Sequence, residues 1–146
     1  MLLTFLDPVC VTDCPLIAQE FRQAGQLLGA SRQQVELVAV DVNPLYNELA
    51  YTRQFDQQEG LTSLTDWHYL TSSPARLRAV YKACGQPAQT LPAGAVLGHT
   101  DIAFVIDTRG EIREELDMDP GPGPVATKSS FATELASAAT QTLRTS

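Results

Sequence analysis

No apolar run in the chain approaches the roughly 18 residues that a membrane-spanning helix requires, so no spanning helix is expected. Clustered positive charge is missing as well. Ten Lys and Arg are scattered singly among seventeen Asp and Glu, for a net charge of −7. Such a surface is repelled by phosphate backbones and anionic headgroups and has no basic patch to displace their counterions, which excludes nucleic acid as a partner. No Gly-rich fingerprint follows an apolar run, which removes the common nucleotide-binding modes, and no Ser-His-Asp arrangement is visible. Cysteine is scarce, three in 146 residues, and histidine scarcer, with two. An odd cysteine count argues against a structural disulfide framework and for one working pair plus one left over. The opening Met1–Leu6 segment lacks a basic n-region and meets Asp7 too soon for a secretory signal. Leu2–Leu6 reads instead as a buried strand, so the chain starts inside its fold, as a trimmed piece of a longer protein would. That start is compatible with an anchor or export signal upstream.

What is present is an ordinary globular composition, 44% hydrophobic and 18% charged. It suits one domain over residues 1–146 that buries a core without covalent staples. The first strand ends at Asp7-Pro8, a turn signal. A helix is expected over residues 15–28, where Ile17, Phe21, Ala24 and Leu28 form one apolar stripe, Pro15 suits the first turn and Gly29 the stop. Residues 35–40 read as a second buried strand. Asn43-Pro44 then offers a cap and a first-turn proline for a helix to about Gln58. A third strand is expected over residues 64–69. Ser73-Pro74 starts a third helix, whose stripe of Leu77, Val80, Tyr81 and Cys84 is stopped by Gly85. Residues 86–97, rich in Pro, Gly and Ala, read as an exposed loop. Ile102–Ile106 is a strand, and residues 107–110 turn it into an outer hairpin strand over 111–116. The Pro-Gly-Pro-Gly-Pro stretch within residues 119–124 is a linker, and a last helix covers residues 130–143.

The order βαβαβαββα implies a mostly parallel sheet with an antiparallel edge hairpin and helices on both faces, which is thioredoxin-like topology. Within it, Cys10 and Cys14 fall where the first strand passes into the first helix, with Cys14 at the cap. Unpaired N–H groups and the positive end of the helix dipole favour a thiolate there. Three intervening residues make a wider loop than Cys-x-x-Cys, so both sulfurs can face one ion as well as each other. His99 lies at the junction before Ile102–Ile106, which in a thioredoxin sheet sits beside the N-terminus of the first helix. Two thiolates and one imidazole are a soft, three-ligand set suited to Cu(I); zinc would want a fourth ligand.

The segment Leu3-Thr-Phe-Leu-Asp-Pro-Val-Cys10-Val-Thr-Asp-Cys14-Pro resembles the copper-site segment of the Sco/SenC family, whose motif is Cys-x-x-x-Cys-Pro after a core strand. Val38-Ala-Val-Asp41, Trp67-His-Tyr-Leu-Thr71 and Gly98-His99-Thr, running on to Asp107 and Gly110, resemble further segments of that family over residues 2–117. The resemblance implies a thioredoxin-fold copper chaperone rather than an enzyme, exported and membrane-anchored, that assembles the CuA site of cytochrome c oxidase. It implies a copper ion held by Cys10, Cys14 and His99. The implied partner is the oxidase subunit carrying CuA, or its assembly factors, and the chaperone itself is expected as a monomer. Three departures stand out: the family's anchor and early N-terminal strands are absent, Gly98 replaces an acidic residue, and Asp41-Val-Asn-Pro replaces Asp-Pro. The alternative on the same residues is a metal-independent thiol–disulfide oxidoreductase, with Cys10 attacking and Cys14 resolving.

The remaining reactive residues are assigned plainer roles. Cys84 is expected to be a buried, inert thiol. His68 is expected to be structural or solvent-facing, while Asp7 and Asp13 either tune the cysteines or solvate their loop. A peroxiredoxin motif needs Pro-x-x-x-Thr-x-x-Cys, and Pro8, Thr12 and Cys14 fall one residue short of it.

Overall fold

Apolar residues on both sides of Leu2–Leu6 leave that strand no face for water, so it belongs in the middle of a covered sheet. The computed structural model, which describes residues 1–85, 89–90, 96–98, 101–118 and 130–145, places it there. In chain order the elements are β1 (Leu2–Leu6), α1 (Asp13–Leu27), β2 (Leu37–Asp41), α2 (Leu49–Gln58), β3 (Trp67–Leu70), α3 (Pro74–Ala83), β4 (Gln89–Thr90), β5 (Val96–Gly98), β6 (Ile102–Ile106), β7 (Ile112–Asp117) and α4 (Phe131–Thr145). The main sheet runs β3-β2-β1-β6-β7. The first three strands are parallel, with Leu2 opposite Leu37 and Leu37 opposite Trp67. β6 and β7 are antiparallel, so the expected edge hairpin is present. The fold is thioredoxin-like.

Alternation along the strands divides the core in two. Leu2 and Leu6 of β1, Leu37 and Ala39 of β2 and Val105 of β6 face α1 and α4, which contribute Ile17, Phe21, Leu135 and Ala139. Phe55 of α2 joins this side, packed edge-on against Tyr69 at 5.4 Å between ring centroids. Leu3, Phe5, Val38, Val40 and Phe104 point the other way, under Leu77 and Tyr81 of α3. Thr4, fully buried in β1, donates its hydroxyl to the Ile102 carbonyl at 3.1 Å, so its polar group is satisfied.

Several elements depart from expectation for local reasons. α2 begins at Leu49, not at Asn43-Pro44. Asn43 is buried, and its backbone N–H donates to Asp41 Oδ1 at 2.8 Å while its side-chain oxygen accepts from the Leu45 N–H at 3.2 Å. An N-cap would make the same side-chain bond, but here the chain goes on through a turn over residues 44–46 and the helix begins only at Leu49. α1 starts two residues early, with Thr12 in the capping position, which puts Cys14 inside the first turn. Gly29 stops α1 with φ +53°, but the chain continues into a 3₁₀ turn, Gly29–Gln34, before β2. Within the stretch expected to be plain loop, β4 and β5 pair antiparallel, with Gln89 opposite Gly98. The expected linker over residues 119–124 lies outside the described residues. Among the described residues no helix is long and apolar enough to cross a membrane.

Phe104 has no exposed surface and meets Phe5 edge-on at 6.1 Å. Phe104→Ala should therefore cost about 3–5 kcal/mol, as for other buried aromatic truncations. Val11→Ala, at a residue 88% exposed, should change stability by less than about 0.5 kcal/mol. Urea unfolding of both variants measures the contrast.

Candidate metal centre

The site is built on the end of β1. Leu6 offers its carbonyl to two donors, the Val42 N–H at 3.0 Å and the Tyr69 hydroxyl at 2.8 Å, which fixes where the strand stops. Asp7 then turns the chain. Its Oδ1 accepts the Val9 N–H at 3.0 Å and its carbonyl accepts the Cys10 N–H at 3.1 Å. Its own backbone N–H points the other way and donates to the Cys14 sulfur at 3.3 Å. Pro8 and the Asp7 turn throw Cys10 outward, and the first turn of α1 brings Cys14 back beneath it.

The two thiols lie within hydrogen-bonding reach, Cys14 donating to Cys10. Their surroundings differ sharply. Cys14 has no exposed surface and belongs to the core, whereas Cys10 is half-buried at the rim. Burial pushes the Cys14 thiol strongly up, opposed only in part by the Asp7 N–H. Partial burial also pushes Cys10 up, but hydrogen bonds from the Thr12 hydroxyl, the Cys14 and Thr12 N–H groups and the Cys14 thiol outweigh it, and the net shift is downward. Thr12 makes no side-chain cap bond to α1; its hydroxyl lies 3.4 Å from the Cys10 sulfur. Asp13 sits in the first turn of α1, where the helix dipole favours an acid.

A second layer of polar side chains, not foreseen from the sequence, braces the turn. Asp7 Oδ2 accepts from Asn43 Nδ2 at 3.0 Å, and Asp41 Oδ2 accepts from the Thr71 hydroxyl at 2.9 Å. The Asp41 carbonyl accepts from the Tyr81 hydroxyl. The available signal was the pair of turn signatures Asp7-Pro8 and Asn43-Pro44 just past the ends of adjacent parallel strands. Burial, opposed by the Asn43 and Thr71 bonds, pushes the Asp41 carboxyl up to about 6.

His99 lies outside the described residues, so the structure brings together two of the three expected ligands. Among the described residues no group of three or more His, Cys, Asp or Glu side chains could hold a metal ion. His68 is solvent-facing as expected, with Nε2 2.7 Å from Glu36 Oε2. Cys84 differs from expectation. It follows the last residue of α3 and is half-buried, while Val80 is 37% exposed. The buried stripe of α3 is thus Leu77 and Tyr81 alone, which pack on the central strands while Val80 and Cys84 stay at the rim of that contact.

No protein-family model and no curated protein matches the chain. Solved structures do match it in fold. Copper-bound ScoI of Arabidopsis thaliana superposes with a TM-score of 0.77 at 13% identity, covering 99% of this chain and 83% of that one. A SCO1/SenC family lipoprotein from Bacillus anthracis gives 0.75 at 15%, covering 97% and 80%. BsSco, described as a member of the Sco family of cytochrome c oxidase assembly proteins, gives 0.67 at 16%, covering 95% and 79%. The class defined by fold and site is a thioredoxin-like protein with a cysteine pair at the start of its first helix. Within that class, the fold resembles that of Sco/SenC proteins.

Two outcomes follow from this geometry. Limited alkylation of the native reduced protein should label Cys10 first, Cys84 more slowly and Cys14 last, as read by peptide mass mapping. The second concerns Asp41, which ionises near 6 when folded against an ordinary value of 3.8. Below about pH 4 it is protonated in both states and favours neither. Between about pH 4 and 6 the unfolded carboxyl ionises first, so stability falls as pH rises, by an amount on the order of 2–3 kcal/mol. Above that window the cost is constant. Asp41→Asn should remove this part of the pH profile, measured as the difference between the unfolding curves of the two proteins.

Proposed function

We propose that the protein is a copper-binding assembly factor of Sco type, with Cys10, Cys14 and His99 as ligands and Cu(I) as its cargo. The observation that carries this reading is the meeting of the Cys10 and Cys14 sulfurs at the first turn of α1, one at the rim and one in the core. Two adjacent soft donors fit Cu(I), and an imidazole completes a three-coordinate set. The fold likeness supports it, since the Arabidopsis ScoI binds copper and BsSco belongs to a family of oxidase assembly proteins. By the same likeness the partner is the oxidase subunit carrying CuA, or its assembly factors. The setting is extracytoplasmic and membrane-associated, as for the Bacillus lipoprotein. The chain acts as a single domain and a monomer.

The residues divide the work. The Asp7 N–H and the body of α1 hold the Cys14 sulfur in place, so the inner ligand is constant. Thr12 steadies the outer Cys10 sulfur, which a partner's thiols can reach and replace in ligand exchange. The asymmetry of the two thiols also favours a second reading, thiol–disulfide exchange through Cys10 with Cys14 resolving.

Copper content of the reduced protein after Cu(I) loading tests the first reading. One copper per chain is expected in the wild type, and none retained by Cys10→Ser or Cys14→Ser. His99→Ala should bind at least about 10- to 100-fold more weakly, the loss that follows even from removing partners of the ligands. Unchanged affinity in His99→Ala would take the histidine out of the site.

A further inference from the structure

A groove of about 340 Å³ opens beside Cys10, between residues 8–11 and the face of α2 that carries Tyr51, Gln54 and Gln58. It is at the small end of ligand-site volumes, large enough for a short stretch of chain. Cys10 is on its wall, whereas Cys14 is not part of the lining and has no exposed surface. Whatever enters the groove therefore meets one sulfur only.

The lining selects what can enter. Among the described residues no charged side chain lines the groove, and the protein as a whole carries −7. A small anionic disulfide such as oxidised glutathione finds no cationic side chain for its carboxylates among these lining residues. Gln54 and Gln58 are one helical turn apart, so their carboxamides stand on the same side of α2. Each offers both donors and an acceptor, the complement of the N–H and C=O groups of an extended peptide. Tyr51 is held edge-on by Tyr46, at 5.0 Å between ring centroids. At the mouth, Val9 is 40% and Val11 88% exposed, a pair of apolar contacts with nothing polar to satisfy.

We propose that this groove receives an extended, uncharged segment of a partner protein whose cysteine is held in a disulfide, and presents that disulfide to Cys10. The proposal rests on the thiol-exchange reading of the site. The Cys10 thiolate attacks the near sulfur of the partner's disulfide, forming a Cys10–partner S–S bond and releasing the second partner cysteine as a thiolate that takes up a proton. Cys14, giving up its proton to solvent, then attacks the Cys10 sulfur. A Cys10–Cys14 disulfide forms, the mixed disulfide breaks, and the first partner cysteine leaves as its thiol. Two electrons pass from the Cys10/Cys14 pair to the partner, which leaves with both cysteines reduced. Gln54 and Gln58 bind the segment's backbone, and Val9 and Val11 flank its apolar side chains.

The test uses the reduced full chain and two probes, oxidised glutathione and a disulfide-linked pair of capped Val-Cys-Val tripeptides, with thiol release followed by chromatography. The wild type should reduce the peptide disulfide at least about tenfold faster than glutathione, the selectivity that one or two neutral hydrogen bonds supply. Gln54 and Gln58 are both exposed and alanine is the best helix former, so the double variant Gln54→Ala/Gln58→Ala folds. It should bring the peptide-to-glutathione ratio down toward one. Gln57→Ala, on the same helix but outside the lining, should leave the ratio where it was. Equal rates for the two probes in the wild type, or a ratio untouched by the double variant, overturns the groove assignment. A wild type that reduces neither probe overturns the thiol-exchange reading beneath the proposal, whereas one that reduces both at the same rate overturns only the groove.

Discussion

The hydrogen bond from the Asp7 backbone N–H to the Cys14 sulfur is the contact on which the site depends. It ties the end of the central strand to the first turn of α1, and so sets the distance between a residue thrown outward by the turn and one drawn inward by the helix. Everything around it serves to keep Asp7 where it is. The Tyr69 hydroxyl and the Val42 N–H converge on the preceding carbonyl, and Asn43 holds the Asp7 carboxylate from the neighbouring strand. A thiol is a weak acceptor, so the bond itself contributes little energy. Its value is geometric, because it fixes the orientation of a sulfur that packing alone would leave to choose among rotamers.

That arrangement explains why two cysteines four residues apart behave so differently. Cys14 is a core residue that happens to carry sulfur, and its surroundings of Leu6, Ile17 and Tyr69 disfavour charge. Cys10 gains hydrogen bonds without losing access to water. Both copper transfer and disulfide exchange need one sulfur that can be approached and one that stays behind. The structure supplies this asymmetry whichever chemistry the protein performs.

The polar layer of buried Asp41 and Asn43 with half-buried Thr71 shows the cost of supporting a turn from within. Asp41 lies at the end of a buried strand with no exposed surface, and keeping its charge there opposes folding at neutral pH. In return the β2 end is held by Asn43 beside it and by Thr71 just beyond β3, and Tyr81 of α3 adds a bond to the Asp41 carbonyl. Asn43 is the clearest case of a residue whose role depends on neighbours. Its sequence context reads as a helix cap, but beside Asp7 and Asp41 its side chain is drawn into their network and α2 waits until Leu49.

Local pattern was enough for β1, since an apolar run closed by Asp7-Pro8 has no other economical conformation, and for α3, where Ser73-Pro74 and Gly85 bracket the helix. The same holds for the hairpin of β6 and β7 and for the placement of Cys10 and Cys14 at a strand-to-helix passage. These features depend on residues within a few positions of one another, and periodicity records them. Cys84 did not follow its stripe, because how much of a helix is covered depends on which of its turns rest on the sheet, and Cys84 lies just past the end of α3. The inequality of the two thiols, the braced turn and the groove against α2 likewise came only with the tertiary structure. The braced turn, for example, joins Asp7 with Asn43 and Leu6 with Tyr69, whose separations in the chain are 36 and 63. Sequence by itself determined which residues could do the chemistry. Burial and long-range hydrogen bonds, which depend on what the fold brings alongside, decided which sulfur faces outward and what lies next to it.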